Sequence, residues 1–173
     1  MEQFDRYLNL AREKAIDQAI VVETSKVHTA LWVKMKCQYG CRFYNASLCC
    51  PPRTPNPAEM REILDSYSHA ILLHKLWKGG ILDIKSFNES VVAVELTLFF
   101  DGYYKAWGMG SGPCRICEKC NIQGVCLHIS KARPSMEACG IDVFRTAGEY
   151  GLKIPVLRNF EEDRNSFGLV LVD

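Results

Sequence analysis

No stretch of the sequence stays apolar long enough to span a membrane: the strongest runs, such as Val91–Phe100, have the length of a strand or a short helix. Neither sign of charge dominates. Lys and Arg number 21, Asp and Glu 20, and the net charge of +1 removes any global pull toward nucleic acid or an anionic membrane surface. The opening residues Met1-Glu2-Gln3-Phe4-Asp5 lack the basic start and apolar core of an export signal, so a cytoplasmic location is expected. Loops of the Walker, G-x-G-x-x-G and G-x-S-x-G types are all missing. Histidine is sparse and scattered, at His28, His69, His74 and His128.

Cysteine, by contrast, is abundant, with nine in 173 residues. An odd count without an export signal argues against a disulfide framework, and closely spaced thiols in a reducing compartment point to metal. Their grouping supports this. Cys37, Cys41, Cys49 and Cys50 form one set, Cys114, Cys117, Cys120 and Cys126 a second, and Cys139 stands apart.

The remaining pattern predicts a mixed α/β (α+β) fold, a single domain over 1–173 carrying two cysteine-rich loops, 37–57 and 108–139. Phe4, Tyr7, Leu8, Ala11 and Ala15 recur at helical spacing and predict an amphipathic helix over Glu2–Ile16. Ala19–Glu23 and Val27–Val33 read as strands. Cys37–Pro57, with Pro51, Pro52, Pro55 and Pro57, reads as a loop that no long element can cross. Pro57-Ala58-Glu59 opens a helix to about Ser68, Ala70–Leu76 is a strand, and Gly79-Gly80 breaks the chain. Asn88–Tyr104 has the Val, Leu and Phe content of a strand, but its length and the spacing of Val91, Val94 and Leu98 favour a buried helix. Gly108–Gly112 reads as flexible, and Pro134–Glu137 as a short helical turn. Asp142 caps a helix over Val143–Tyr150 that Gly151 ends, and Leu169–Val172 closes the fold as a strand.

The second cysteine set carries the strongest signal. Cys114, Cys117 and Cys120, each two residues from the next, can wrap one corner of a cubane cluster, as the opening triplet of bacterial ferredoxins does. The fourth thiolate is Cys126 or, failing that, Cys139; neither is followed by the proline of the ferredoxin pattern. Gly108, Gly110, Gly112 and Gly124 are expected to let backbone amides approach sulfur. Structural zinc is the competing reading, since zinc takes four cysteines in a tetrahedron, though it favours separate C-x₂-C pairs over an overlapping triplet.

In the first set, the side chains of adjacent Cys49 and Cys50 diverge, so one is expected to ligate and the other to pack. Pro51 fixes the geometry beside Cys50, which leaves Cys37, Cys41 and Cys50 as three ligands, with Cys49 or a remote residue as a possible fourth. Three protein ligands leave one metal position open, the arrangement that makes a site catalytic. From Ala30 to Ala58 there is no Asp or Glu, while Lys34, Lys36, Arg42 and Arg53 favour thiolates and anions. A basic, solvated loop packing reduced thiols is the bland alternative. A Cys49–Cys50 disulfide would be strained. His128 can bond a sulfur or ligate; His69 and His74 flank an apolar strand and read as structural.

Cys37-Gln-Tyr-Gly-Cys41 through Cys50-Pro51-Pro52, Gly102-Tyr103-Tyr104-Lys105-Ala106, Gly112-Pro113-Cys114-Arg-Ile-Cys117-Glu-Lys-Cys120, Arg133-Pro134-Ser135-Met136-Glu137-Ala138 and Gly140-Ile141-Asp142-Val143 together resemble the predicted metal-binding proteins of domain of unknown function 2284, a family of anaerobic bacteria and archaea. The resemblance runs from about Val27 to the C-terminus. It implies a mixed α/β domain with a ferredoxin-like loop, and places metal-ligand roles on Cys37, Cys41, Cys50, Cys114, Cys117, Cys120 and Cys126. Two departures stand out: Leu127-His128-Ile129 replaces an Arg-His-Pro that often follows the fourth cysteine, and Cys49 and Cys139 are additions.

Three functions fit. In the first, Cys114, Cys117, Cys120 and Cys126 hold a [4Fe–4S] cluster, one of one or two in the chain, that passes electrons to a redox partner protein. In the second, Cys37, Cys41 and Cys50 hold a cluster with an open iron, and Lys34, Lys36 or Arg42 attracts a small anionic substrate. In the third, zinc staples a binding module without chemistry of its own. Membrane and nucleic-acid partners are not expected.

Overall fold

Two four-residue cores of apolar side chains, Ala70–Leu73 and Leu169–Val172, set the architecture, because a strand that is apolar at every position must be covered on both faces. The computed structural model describes residues 2–173. The chain runs α1 (Asp5–Glu13), β1 (Gln18–Glu23), α2 (Leu31–Gly40), α3 (Pro57–Asp65), β2 (His69–Trp77), α4 (Ile84–Phe100), β3 (Trp107–Met109), α5 (Val143–Glu149) and β4 (Arg164–Leu171), with short 3₁₀ turns between. The sheet order is β1-β2-β4-β3, and every neighbouring pair is antiparallel. The last strand therefore inserts between β2 and β3.

Alternation sorts the two faces. Ile71, Leu73 and Val170 point to one side, where Phe4, Tyr7 and Ala11 of the N-terminal helix meet Val91, Val94 and Leu98 of α4. Ala70, Leu72, Leu169 and Leu171 point to the other, against Met60 and Leu64 of α3 and Met136, Cys139 and Ile141 beyond the second cysteine set. Each fully buried Leu or Ile contributes about 1.5–3 kcal/mol. The helices start where their chemistry dictates. Asn56 accepts from the Ala58 and Glu59 amides while the Glu59 carboxylate accepts from the Asn56 amide at 2.7 Å, a capping box with Pro57 in the first turn. Asp142 caps α5 through the Arg145 amide, and Gly151, at φ +73°, ends it as the sequence predicts. No helix among the described residues is long and apolar enough to cross a membrane.

Four expectations are corrected. Val27–Val33 is not a strand: Thr29 makes one isolated bridge to Ile141, the Ala30 amide donates to Gly140 O, and α2 begins at Leu31. The β-branched Val27 and Val33 are buried without pairing to a neighbour. The first cysteine set is consequently not all loop; Cys37 lies on the last turn of α2, and Cys41 caps it. Residues 108–112 are not a flexible hinge but open in β3, whose glycines make room for two side chains of α4. A Cβ on Gly108 would sit 2.7 Å from Glu95 Oε2, and one on Gly110 would collide with Asn88 Oδ1. Finally, the closing strand starts earlier than Leu169, because its polar first half, Arg164-Asn165-Ser166, pairs with Lys75–Trp77.

Glu95 deserves this accommodation. Its side chain, 7% exposed, accepts two hydrogen bonds from Arg133 (12% exposed), both at 2.6 Å, and a third from the Gly108 amide at 2.9 Å. Arg133 also donates to the Ile129 and Ala132 carbonyls. One bidentate pair thus joins α4, β3 and the segment returning from the second cysteine set. Removing one member strands the other charge in a low dielectric, so Glu95→Ala is expected to lower unfolding free energy by about 3–5 kcal/mol in denaturant titration of the whole chain. A loss below about 1 kcal/mol would mean that water screens the pair.

Candidate metal centre

Between Pro113 and Ala132 there is no helix or strand. The segment nevertheless starts and ends at one place: the Gly110 amide donates to Pro134 O at 2.8 Å and the Met136 amide to Gly110 O at 3.1 Å. What lies between is a closed excursion. Its internal backbone bonds are local, Ile122 to Cys120, Gly124 to Asn121, and Lys131 and Ala132 to His128. Arg133 holds the returning end through the Ile129 and Ala132 carbonyls; the links further into the loop run through sulfur and a ring. The Leu48 amide donates to Cys120 Sγ at 3.4 Å, Cys49 and Cys114 share a thiol hydrogen bond, and the Arg115 guanidinium lies over Phe43. Structureless loops of this length are uncommon unless they carry a function.

Cys114, Cys117, Cys120 and Cys126 line one small cavity of about 20 Å³, together with Cys49 and His128. That is about the room of one water molecule. Among the described residues no three His, Cys, Asp or Glu side chains stand close enough together to hold an ion as they are. The donor set is soft thiolate, which suits zinc or an iron–sulfur cluster.

The charges favour thiolate at the centre of this group. The hydrogen bond from Cys49, with help from the Ile116 amide and the nearby His128, holds Cys114 well below the ordinary thiol range against the cost of burial. Cys49, as donor to that thiolate and buried besides, is pushed up. Cys117 is raised by desolvation and by Cys114, Cys120 and Cys126 around it. The sulfur-facing amides belong to Leu48, Ile116 and His128, the last donating to Cys126 Sγ at 3.4 Å. They are not those of the four glycines expected from the sequence. The Gly108 amide serves Glu95, that of Gly110 serves Pro134, and that of Gly124 serves Asn121.

Of the first set, Cys37 and Cys41 line one wall of a larger cavity, and Cys50 is buried nearby without being part of that wall. Cys37 and Cys41 are one helical turn apart, and the Cys37 thiol reaches toward Glu137 O at 4.0 Å. Cys50 is buried, which pushes it up to about 11, with Cys41, Cys37 and Cys114 close enough to add to the shift. Cys49 lines the small cavity of the second set, whereas Cys50 does not and lies near Cys41 and Cys37 as well as Cys114; the expectation that one cysteine of the pair only packs did not foresee the contact of Cys49 with Cys114. Cys139 joins neither. It is fully buried in the core beside Met136 and Ile141, and burial pushes its pKa to about 12. His69 pairs with Asp173 and His74 with Asn165, both within the sheet framework.

This placement separates the two extra cysteines experimentally. Cys49→Ser is expected to lower metal content measured on the purified chain, with little change in stability. Cys139→Ser puts an unpaired hydroxyl in the core, costing about 1–3 kcal/mol in denaturant unfolding while leaving metal content intact. The reverse pattern would make Cys139 the ligand.

No curated protein and no solved structure matches the chain. Among known families, one described as predicted metal-binding protein (DUF2284) matches residues 20–172, a span that takes in all of the sheet but the first two residues of β1, and all nine cysteines. The chain belongs to this family of predicted metal-binding proteins.

Proposed function

We propose that the chain is an iron–sulfur protein in which Cys114, Cys117, Cys120 and Cys126 hold a [4Fe–4S] cluster in a ferredoxin-like loop, and that it serves electron transfer or redox chemistry. The observation that carries this reading is the closed loop of residues 114–132, which has no secondary structure and is tied to the fold chiefly through sulfur. The overlapping C-x₂-C-x₂-C triplet favours iron–sulfur over zinc, because one tetrahedral ion cannot use both overlapping pairs separately. A cubane supplies one-electron transfer at a potential set by its surroundings.

The chain's own residues would tune that site. The Leu48, Ile116 and His128 amides aim partial positive charge at three sulfurs, and His128 adds a titratable neighbour. Val125, Leu127 and Ile129 are exposed around Cys126, leaving this edge apolar, as suits brief contact with a redox partner protein. Cys37, Cys41 and Cys50 would hold a second metal with an open position, at the mouth of a much larger cavity.

Anaerobic purification with iron, sulfide and zinc analysis tests the reading. It predicts about four irons per chain, or about eight if both thiol groups carry a cubane, with matching sulfide. Cys117→Ser is expected to abolish or strongly reduce the visible cluster absorption. Zinc at simple stoichiometry without sulfide would replace the redox reading with a zinc-stapled module.

A further inference from the structure

A cavity of about 680 Å³ opens between α2, α5, the stretch 154–157 and the start of the second cysteine loop, within the size range of small-molecule sites. Its inner wall is apolar, with Val33, Ile141, Val143 and Phe167 all buried. Its rim is apolar too. Trp32, Leu82, Phe144, Val156 and Leu157 all line it, and all are large hydrophobic side chains left exposed to solvent; Phe144 is 50% exposed and Val156 79%. A single exposed apolar side chain needs no explanation, but five around one opening mark a place where apolar surface is meant to be covered.

Charge within the cavity is one-sided. Lys36, Arg115 and Arg164 line it, against Glu137 as the one acid among its described residues. Glu137 is only partly accessible, and its Oε2 is enclosed without a hydrogen-bond partner. Lys36 and Arg115 are the sequence neighbours of Cys37 and Cys114, so the positive end is the cysteine end, and Cys37 and Cys41 are part of the wall there. At the other side, Arg164 donates to Phe160 O at 2.9 Å, while its Nε is enclosed without a partner.

We propose that this cavity binds a small organic carboxylate with an aromatic or branched apolar body, its carboxylate held by Lys36 and Arg115 beside Cys37 and Cys41. The proposal rests on the metal reading only in placing a metal next to the bound carboxylate; binding itself needs the cavity alone. The apolar walls supply affinity and the two cations supply orientation. A planar carboxylate matches the fork of a guanidinium, and inorganic anions offer the charge without the body that the walls require.

Calorimetric titration of the whole chain, with metal content assayed on the same sample, tests this with phenylpropanoate as the probe. A Kd below about 1 mM is expected. Phenylpropanol, which lacks the charge, and inorganic phosphate, which lacks the apolar body, should each bind at least about tenfold more weakly. Lys36 and Arg115 are exposed, so the double variant K36Q/R115Q should fold normally and weaken phenylpropanoate about tenfold or more. Phe144→Ala, which removes part of the wall, should weaken it several-fold. Failure of phenylpropanoate to bind a sample with full metal content would overturn the cavity assignment and leave the metal reading standing. Equal binding of the alcohol, or indifference to K36Q/R115Q, would overturn the carboxylate end. Binding by a sample that takes up no metal would support the cavity and count against the metal reading alone.

Discussion

The bidentate pair between Glu95 and Arg133 is the constraint on which the rest depends. Glu95 sits on the buried face of α4 beside Val91, Val94 and Leu98, and a carboxylate there is tolerable only because Arg133 and the Gly108 amide satisfy both its oxygens. That requirement fixes three things at once. Position 108 must lack a side chain, β3 must lie close against α4, and the chain must come back from the cysteine loop to where it left. An extended, structureless segment is thereby closed at its base, and its freedom is confined to the part that carries the thiols.

With its base pinned, the loop leaves its thiols to find partners by local geometry. The spacing of Cys114, Cys117 and Cys120 does this within the loop, and Cys49 reaches across from the proline-rich segment to meet Cys114. That segment also delivers Cys50 toward Cys37 and Cys41 at the end of α2. The second set lines a small enclosed cavity with amides facing its sulfurs, while Cys37 and Cys41 line a larger open cavity that Lys36 and Arg115 also line.

Elements whose patterns reflect burial alone were legible in the sequence. Ala70–Leu73 and the Val91, Val94, Leu98 stripe read as strand and helix, and so they fold. The helix start at Pro57 and the cap at Asp142 were legible too, because both act within their own turn, whereas the Asn56 cap emerged only in the structure. What was hidden depends on partners distant in the chain. Val27–Val33 has strand composition, but it makes only one isolated bridge, and Val27 and Val33 are buried in packing instead. Gly108 and Gly110 look like hinge residues until Glu95 and Asn88 are seen to need their space. The candidate ligands were legible as two sets from spacing, whereas the allegiance of Cys49, and the burial of Cys139 in the core, follow from where the sheet places them.

If metal organises the loop, amide hydrogen exchange should show it most directly. Comparison of the metal-loaded chain with the same chain after chelation should show residues 114–132 losing protection by an order of magnitude or more on metal removal, while β2 and β4 amides keep theirs. Equal exchange of the loop in both states would contradict the account, since the thiols would then not be what holds it in place.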